Sequence, residues 1–203
     1  LQVSPTLGSD QLQAGLLAGL LGFLLVFIYS FIYYKALGIV TIASLLVAAA
    51  IAYLSFLLLG EWIGFTLTLA GIAGAIVAVG ITADSFVVYF ERIRDEVREG
   101  RSLQSAVETG WIKARHTIIV ADAVSIIAAA LLYFFAVGGV RGFAFTLGLT
   151  TLIDLLVVFV FTHPLVSLLS KRKFFASGHA LSGFSAKSIG LDIKSDESAT
   201  VKG

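Results

Sequence analysis

Three aspartates stand inside long apolar stretches of this 203-residue sequence: Asp84, Asp122 and Asp154. Each costs about 2.5 to 3.5 kcal/mol to place at the centre of a membrane-spanning helix, so each requires a reason to be there. The same stretches contain no Lys or Arg that could neutralise an ionised carboxylate. A buried carboxyl without a nearby cation can remain protonated near neutral pH, and it can therefore bind and release a proton. These residue types predict proton transfer, with Asp84 and Asp122 as the candidate proton-conducting residues.

Asp84 is the strongest candidate because small residues share its side of the predicted helix. Gly80 lies four residues before it and Ala73 eleven residues before it, so another helix can approach the carboxylate closely. The alternative for Asp84 is structural: a protonated carboxyl that only hydrogen-bonds a neighbouring helix.

The other two acids carry a weaker prediction. Asp122 follows Arg115 and His116 by a few residues, so a structural acid near the membrane interface is as compatible with its position as a proton relay. For Asp154 we expect the structural role.

The elements that must position these acids are membrane-spanning helices. With 58% hydrophobic residues, 13% charged residues and a mean hydropathy of +0.98, the composition excludes both a soluble fold and a disordered chain. A helix needs about 20 mostly apolar residues to cross the bilayer core. Five continuous stretches qualify: residues 12–34, 37–59, 63–90, 117–137 and 143–169. The sequence therefore predicts an all-α membrane protein, a bundle of five transmembrane helices within residues 11–170.

The positions of the 14 Lys and Arg predict how the bundle is oriented. They lie at Lys35, between the third and fourth spans, and after the fifth span, whereas Arg141 alone falls on the other side. By the positive-inside rule, residues 1–10 form an extracytoplasmic lead-in and residues 171–203 a cytoplasmic tail. We expect the tail to be disordered, because it is rich in Ser, Gly and Lys.

The one hydrophilic stretch with a regular pattern is residues 91–116. Its apolar residues recur at helical spacing: Ile93, Val97, Leu103, Val107 and Trp111. Gly100 is expected to break the helix, and Ser102 to cap a second short one. We interpret the stretch as a cytoplasmic amphipathic hairpin lying along the membrane surface, with docking of a cytoplasmic partner as the alternative.

Pairs of small residues four positions apart predict close helix packing within the spans. The first span contains Gly15 and Gly19, and the third contains Ala70 and Gly74 as well as Gly80. These pairs fit packing within the bundle as well as assembly with another protein.

Nothing in the sequence indicates a metal, a cofactor or a nucleic acid. There is no Cys, and His163 has no second ligand at metal-binding spacing. The sequence also contains no Met and begins at Leu1, so we expect a fragment of a longer protein.

Four motifs in order resemble the SecD/SecF family of protein-export membrane proteins, over roughly residues 3–169. They are Val3-Ser4-Pro5-Thr6-Leu7-Gly8, Ala70-Gly71-Ile72-Ala73-Gly74, Asp84 leading into Phe90-Glu91-Arg92-Ile93-Arg94-Asp95-Glu96, and Arg141-Gly142-Phe143-Ala144-Phe145-Thr146-Leu147-Gly148. The resemblance implies an RND-type half-bundle, from a superfamily of proton-driven transporters. It also implies that the chain begins just after a large extracytoplasmic domain.

The resemblance further implies partners and a function. A member pairs with SecF beside the SecYEG channel in the cell inner membrane, and uses the proton gradient to promote preprotein export after the ATP-driven SecA step. Asp84 matches the family's proton-conducting aspartate, and Asp122 falls where many members carry Asp. The family commonly has Val-Asp-Ala-Asn around the first aspartate, whereas this chain has Ala83-Asp84-Ser85-Phe86. We expect the missing cation to come from SecF, and membrane lipid to surround the pair.

Three alternatives compete with this function. A small-molecule or lipid exporter of the same superfamily would share the spans, and a passive membrane scaffold would tolerate Asp84→Asn. An intramembrane aspartyl protease needs two facing carboxylates, which Asp84 and Asp122 could supply. The stretch Gly80-Ile81-Thr82-Ala83-Asp84 does not match the Gly-x-Gly-Asp pattern of such enzymes. We expect a translocase subunit rather than an enzyme.

Overall fold

The computed structural model describes residues 5–172, and every regular element in that range is a helix. The elements are α1 (Pro5–Tyr34), α2 (Ala36–Ile63), α3 (Leu69–Arg98), α4 (Leu103–Phe135), α5 (Gly139–Val157), a π-helical turn (Val158–Thr162) and α6 (His163–Ser170). Five stretches are long and apolar enough to cross a membrane, with α5, the π-helical turn and α6 forming one span. The predicted all-α bundle is confirmed. Residues 5–10 of the expected lead-in already belong to α1, and the tail expected at residues 171–203 lies outside the described residues after Arg172.

The connection between the second and third spans differs from the prediction. α2 continues to Ile63, where the third span was expected to begin, and residues 64–68 are not helical. Gly64 ends α2 with a left-handed φ of 65°, a conformation that side-chain-bearing residues rarely adopt. The Thr68 hydroxyl then caps α3 by accepting a hydrogen bond from the Gly71 backbone N–H at 3.2 Å.

α3 and α4 extend well beyond the predicted spans because they continue through the hydrophilic stretch. The expected break is present: Gly100 has a φ of 87°, and the Ser102 hydroxyl accepts from the Ser105 backbone N–H at 3.4 Å. The apolar stripe, however, is buried in protein, with Ile93 and Val107 at most 1% exposed. The stripe therefore packs into the protein core, and the position of the hairpin relative to the membrane surface stays a prediction.

α3 is the central helix, in contact with α1, α4 and α5. At the crossing with α5, a Cβ on Gly74 would lie 2.7 Å from the Phe143 carbonyl oxygen, so this approach requires glycine. At the crossing with α1, Gly15 and Gly19 lie against two isoleucines of α3. Gly80, expected to pack against another helix, has open space beside it in this chain.

The last span contains a π-helical turn that ends at Thr162, two residues before Pro164. Proline lacks a backbone N–H and its ring crowds the preceding turn, so a wider turn accommodates it. The Thr162 hydroxyl, fully buried in this turn, donates a hydrogen bond of 2.8 Å to Ser44 Oγ on α2. This bond ties the irregular turn to the neighbouring helix.

A buried arginine on α3 binds the end of α1 at one end of the bundle. Arg94 on α3 is 2% exposed and donates to the Tyr33 carbonyl oxygen at 2.8 Å and to Glu91 Oε1 at 3.2 Å. Its guanidinium carbon also lies 5.1 and 4.7 Å from the ring centroids of Tyr33 and Tyr34. The tight turn between α1 and α2, at Lys35, is thereby held against α3.

Candidate functional site

Asp84, the strongest candidate from the sequence, lies on the outer side of α3. Its side chain is exposed in this chain, and so are Ala73, Val77 and Gly80, which precede it along the helix. Among residues 5–172, no hydrogen bond or ion pair holds its carboxyl. In a membrane, an exposed side of an apolar helix faces lipid or another protein helix, and small residues let a helix approach closely.

Asp154, which we expected to be structural, is the acid that the fold places between two helices. It lies on α5, is 9% exposed, and its Oδ2 shares a hydrogen bond with the hydroxyl of Thr82 on α3. Thr82 is 2% exposed, and its Oγ1 is also 2.9 Å from the Ala78 carbonyl oxygen. The contact is the interhelical hydrogen bond that the structural interpretation predicts, and it joins residues 72 positions apart.

Asp122 on α4 is the second buried acid of the spans. It is 2% exposed, and its helix packs against both α3 and α5. Across residues 5–172, neither acid forms an ion pair with a basic side chain, and Asp122 has no hydrogen-bond partner. The fold thus buries Asp122 and Asp154, whereas Asp84 lies on the exposed side of α3.

The hydroxyls of two neighbouring threonines on α5 donate to backbone carbonyl oxygens of α5 itself. Thr150 donates to the Thr146 carbonyl oxygen at 2.8 Å, and Thr151 donates to the Leu147 carbonyl oxygen at 2.8 Å. Such bonds to the preceding turn satisfy a buried hydroxyl without a partner on another helix. Thr82 differs from them because its hydroxyl also reaches a carboxyl on another helix.

A cavity of about 250 Å³ lies beside Asp154, between α1, α2, α3 and α5. Most of its lining is apolar, and its polar groups are Asp154, Thr82, Thr150 and the ring of Tyr53. One water occupies about 30 Å³ in the liquid and needs two to four polar partners when buried. The cavity is therefore large enough for several waters, which would be held where the polar groups cluster.

This arrangement can bind and release protons. The described part of the chain contains no cluster of three or more His, Cys, Asp or Glu residues that could hold a metal ion. The carboxyl of Asp154 can instead gain and lose a proton while it keeps its hydrogen bond to the Thr82 hydroxyl on the neighbouring helix.

Sequence reasoning missed the contact between Thr82 and Asp154. A signal for it exists on α5, where Thr146, Thr150 and Asp154 recur every four residues and mark one polar side of an apolar helix. That pattern indicates a polar helix contact. It does not indicate which residue of α3 completes the contact, because helix register is set by packing.

Comparison with known proteins places the chain among protein-export membrane proteins. Residues 1–172 match the family model described as protein export membrane protein SecD/SecF, C-terminal. The chain is 57% identical to protein translocase subunit SecD of Streptomyces coelicolor over 188 residues, which is 93% of this chain and 33% of that protein. It is 56% identical to protein translocase subunit SecD of Mycobacterium tuberculosis, covering 86% of this chain and 30% of that protein.

Solved structures give the same result. The crystal structure of SecDF from Thermus thermophilus, described as a translocon-associated membrane protein, superposes with a TM-score of 0.77 at 38% identity. A SecDF structure in a super-membrane-facing form gives a TM-score of 0.73 at 38% identity. Each match covers 83% of this chain and 23% of the solved chain. The chain thus spans about a third of the length of the curated relatives and under a quarter of the solved structures.

Proposed function

The chain belongs to the SecD/SecF family of protein-export membrane proteins, and we propose that it is the transmembrane part of a translocase subunit that uses the proton gradient to promote preprotein export. The matched relatives named protein translocase subunit SecD support this proposal. The observation that carries the proton-driven part is the exposed carboxyl of Asp84 in the membrane-spanning part of α3, which has no other acidic or basic residue before Glu91. Placing a carboxyl in lipid costs free energy, so we expect this side chain to have a binding partner and a function.

The proposed partner on that side of α3 is SecF. Ala73 and Gly80 are small residues on the exposed side of α3 that carries Asp84, with Val77 between them, and Gly80 has no atom of another element within 4 Å of its Cβ position. A partner helix can therefore reach the carboxyl. Since no Lys or Arg of the described residues pairs with Asp84, SecF would supply the cation that completes the site.

We propose that the chain lies in the inner membrane of the cell, with the basic end of the bundle in the cytoplasm. That end carries Lys35, the basic residues of the α3–α4 hairpin, and Lys171 and Arg172 after α6. The positive-inside rule then places the start of α1 outside and the end of α6 inside. In this orientation the pair would stand beside SecYEG and act on a preprotein emerging outside.

The physical mechanism is a change in packing driven by protonation. A protonated Asp84 tolerates an apolar neighbour, whereas an ionised one requires water or a cation, so proton binding and release bias two helix arrangements. One elementary charge crossing the membrane gains about 2.3 kcal/mol per 100 mV, so several protons can drive a conformational cycle. Asp122 would take part as a second carboxyl in the same bundle.

The test is a preprotein translocation assay in inverted vesicles that carry the full-length parent with SecF and SecYEG. Asp84→Asn is compared with the unaltered protein, with and without a proton gradient, and Asp95→Asn in the hairpin is the matched control. We expect Asp84→Asn to abolish the gradient-dependent part of export and to spare the part driven by ATP. Unchanged gradient-dependent export would overturn the proton-driven role of Asp84 and favour a passive scaffold.

A further inference from the structure

We propose that Asp154 and Thr82 form a proton-binding site inside this chain's own bundle, separate from Asp84. The inference rests on the proposed proton-driven function for its purpose, because it adds a second proton-binding position to the same subunit. Its geometry does not involve Asp84, which lies on the exposed side of α3. The ligand is a proton, held on Asp154 Oδ2.

The hydroxyl of Thr82 has one hydrogen but two acceptor oxygens within hydrogen-bond distance. One is the Ala78 carbonyl oxygen at 2.9 Å, and the other is Asp154 Oδ2. Both contacts are full two-centre hydrogen bonds when Asp154 is protonated and donates to Thr82 Oγ1, while Thr82 donates to the Ala78 carbonyl oxygen. The geometry therefore accommodates a proton on Asp154 Oδ2.

The surroundings of Asp154 also favour a bound proton over a free charge. α4, which packs against α3 and α5, contributes no buried basic side chain within residues 5–172, and its buried titratable group is Asp122, which is 2% exposed. α2 contributes the Tyr53 ring to the adjoining cavity, and α1 contributes Phe23. Since no basic side chain of the described residues forms an ion pair with Asp154, a proton is the available counter-charge.

Release of the proton changes the hydrogen bonding of α3. An ionised Asp154 can only accept, so the Thr82 hydroxyl must turn from the Ala78 carbonyl oxygen to the carboxylate. The loaded and unloaded states thus differ at one turn of α3, two residues before Asp84. Water in the cavity of about 250 Å³ beside Asp154 would give the proton a route to and from the carboxyl.

The test is infrared spectroscopy of the full-length parent with SecF in lipid vesicles, following the C=O stretching band of protonated carboxyls through a pH titration. We expect Asp154→Asn to remove one titrating band and Asp84→Asn to leave that band in place. A spectrum unchanged by Asp154→Asn, or a band lost instead with Asp84→Asn, would overturn the inference. Export assays on the same two variants distinguish failure of this inference from failure of the proposed function. If Asp84→Asn leaves export unchanged but the band still depends on Asp154, the proposed function fails and the proton-binding site does not.

A second variant keeps the test valid if Asp154→Asn fails to fold. Thr82→Val preserves the shape of the side chain and removes the hydroxyl, so the carboxyl band of Asp154 should shift to higher wavenumber as its hydrogen bond is lost. Thr150→Val is the matched control, since Thr150 lines the same cavity and bonds only to backbone carbonyls of its own helix. A band that is unmoved by Thr82→Val, or moved equally by both variants, would contradict the site.

Discussion

Thr82 and Asp84 are two residues apart on α3 and lie on different sides of it, Thr82 2% exposed against α5 and Asp84 exposed on the outer surface. A step of two residues turns the chain by about 200° on a helix with 3.6 residues per turn, so the two side chains cannot share a face. One turn of α3 therefore carries both the hydrogen bond to the buried carboxyl of Asp154 and the surface proposed for SecF. We expect a change in the hydrogen bonding of that turn to shift the position of Asp84.

The close crossing of α3 and α5 should depend on Gly74. A Cβ at this position would lie 2.7 Å from the Phe143 carbonyl oxygen, and backbone cannot move aside as a side chain can. Gly74→Ala should therefore destabilise the protein by about 1–3 kcal/mol, the usual cost of overpacking. Thermal unfolding of the purified full-length protein in detergent measures this change.

Gly80→Ala is the matched control on the same helix. Open space surrounds Gly80, and alanine is the better helix former, so its unfolding temperature should be unchanged or slightly raised. Equal losses of stability in the two variants would show that the crossing at Phe143 is looser than the geometry indicates.

Arg94 should be irreplaceable by lysine. Its guanidinium bonds to Glu91 and to the Tyr33 carbonyl oxygen while lying over two tyrosine rings, and a lysine ammonium cannot repeat this planar arrangement. Arg94→Lys should cost about 1.5–3 kcal/mol, the range for hydrogen bonds to charged groups. The exposed Arg92, changed to Lys, should stay within about 0.5 kcal/mol of the unaltered protein. Unfolding in denaturant compares the two, and a similar small effect in both would refute the assigned role of Arg94.

The sequence was sufficient to predict the five helices and their order, because long apolar runs and turn-forming residues are local signals. The cap at Ser102 and the break at Gly100 are of this kind. The burial of Ile93 and Val107 was not predictable in the same way, because an amphipathic stripe fits a membrane surface as well as a protein core. Only the continuation of α3 and α4 into one packed hairpin distinguishes them.

The candidate site was predictable only in its residue types. An acid inside an apolar span is visible in the sequence, but the side of the helix bundle that its side chain faces depends on how each helix is rotated about its axis. Asp84 and Asp154 show this, since the sequence favoured the first as the functional acid and the fold buries the second. Thr82 carries no signal of its own, because a single threonine in an apolar helix most often bonds to its own backbone.

The hairpin should also depend on a buried glutamate. Glu96 is fully buried and pairs with Arg101, at 2.8 Å between Nε and Oε2, and with the Lys113 ammonium, which joins α3 to α4. Glu96→Gln removes the charge that both cations share, and should cost about 1.5–3 kcal/mol, as for hydrogen bonds to charged groups. Asp95→Asn, in the half-exposed pair with Arg98, should cost no more than about 1 kcal/mol.

The measurement for this pair of variants is limited proteolysis at the hairpin, because lost pairing exposes the backbone near Gly100. Faster cleavage in Glu96→Gln than in Asp95→Asn is the expected order. The reverse order would mean that the exposed pair, not the buried one, holds the two helices together.

The contact between Tyr89 and His163 should be measurable as a single hydrogen bond between α3 and α6. The Tyr89 hydroxyl lies 3.0 Å from His163 Nδ1, and the imidazole stacks on Trp111 with centroids 4.4 Å apart. Tyr89→Phe keeps the ring, its edge-on contact with Trp111 and the packing of a fully buried side chain, and it removes only the hydroxyl. We expect a loss of about 0.5–1.5 kcal/mol in unfolding free energy.

Two comparisons make this prediction specific to the hydrogen bond. Tyr53→Phe removes a hydroxyl from a side chain that is 63% exposed, and should leave stability within about 0.5 kcal/mol. A double-mutant cycle of Tyr89→Phe with His163→Phe isolates the pair, because a bond between the two residues makes their effects non-additive. Strictly additive losses would show that the two side chains contribute through separate packing contacts and that α3 and α6 are not joined by this bond.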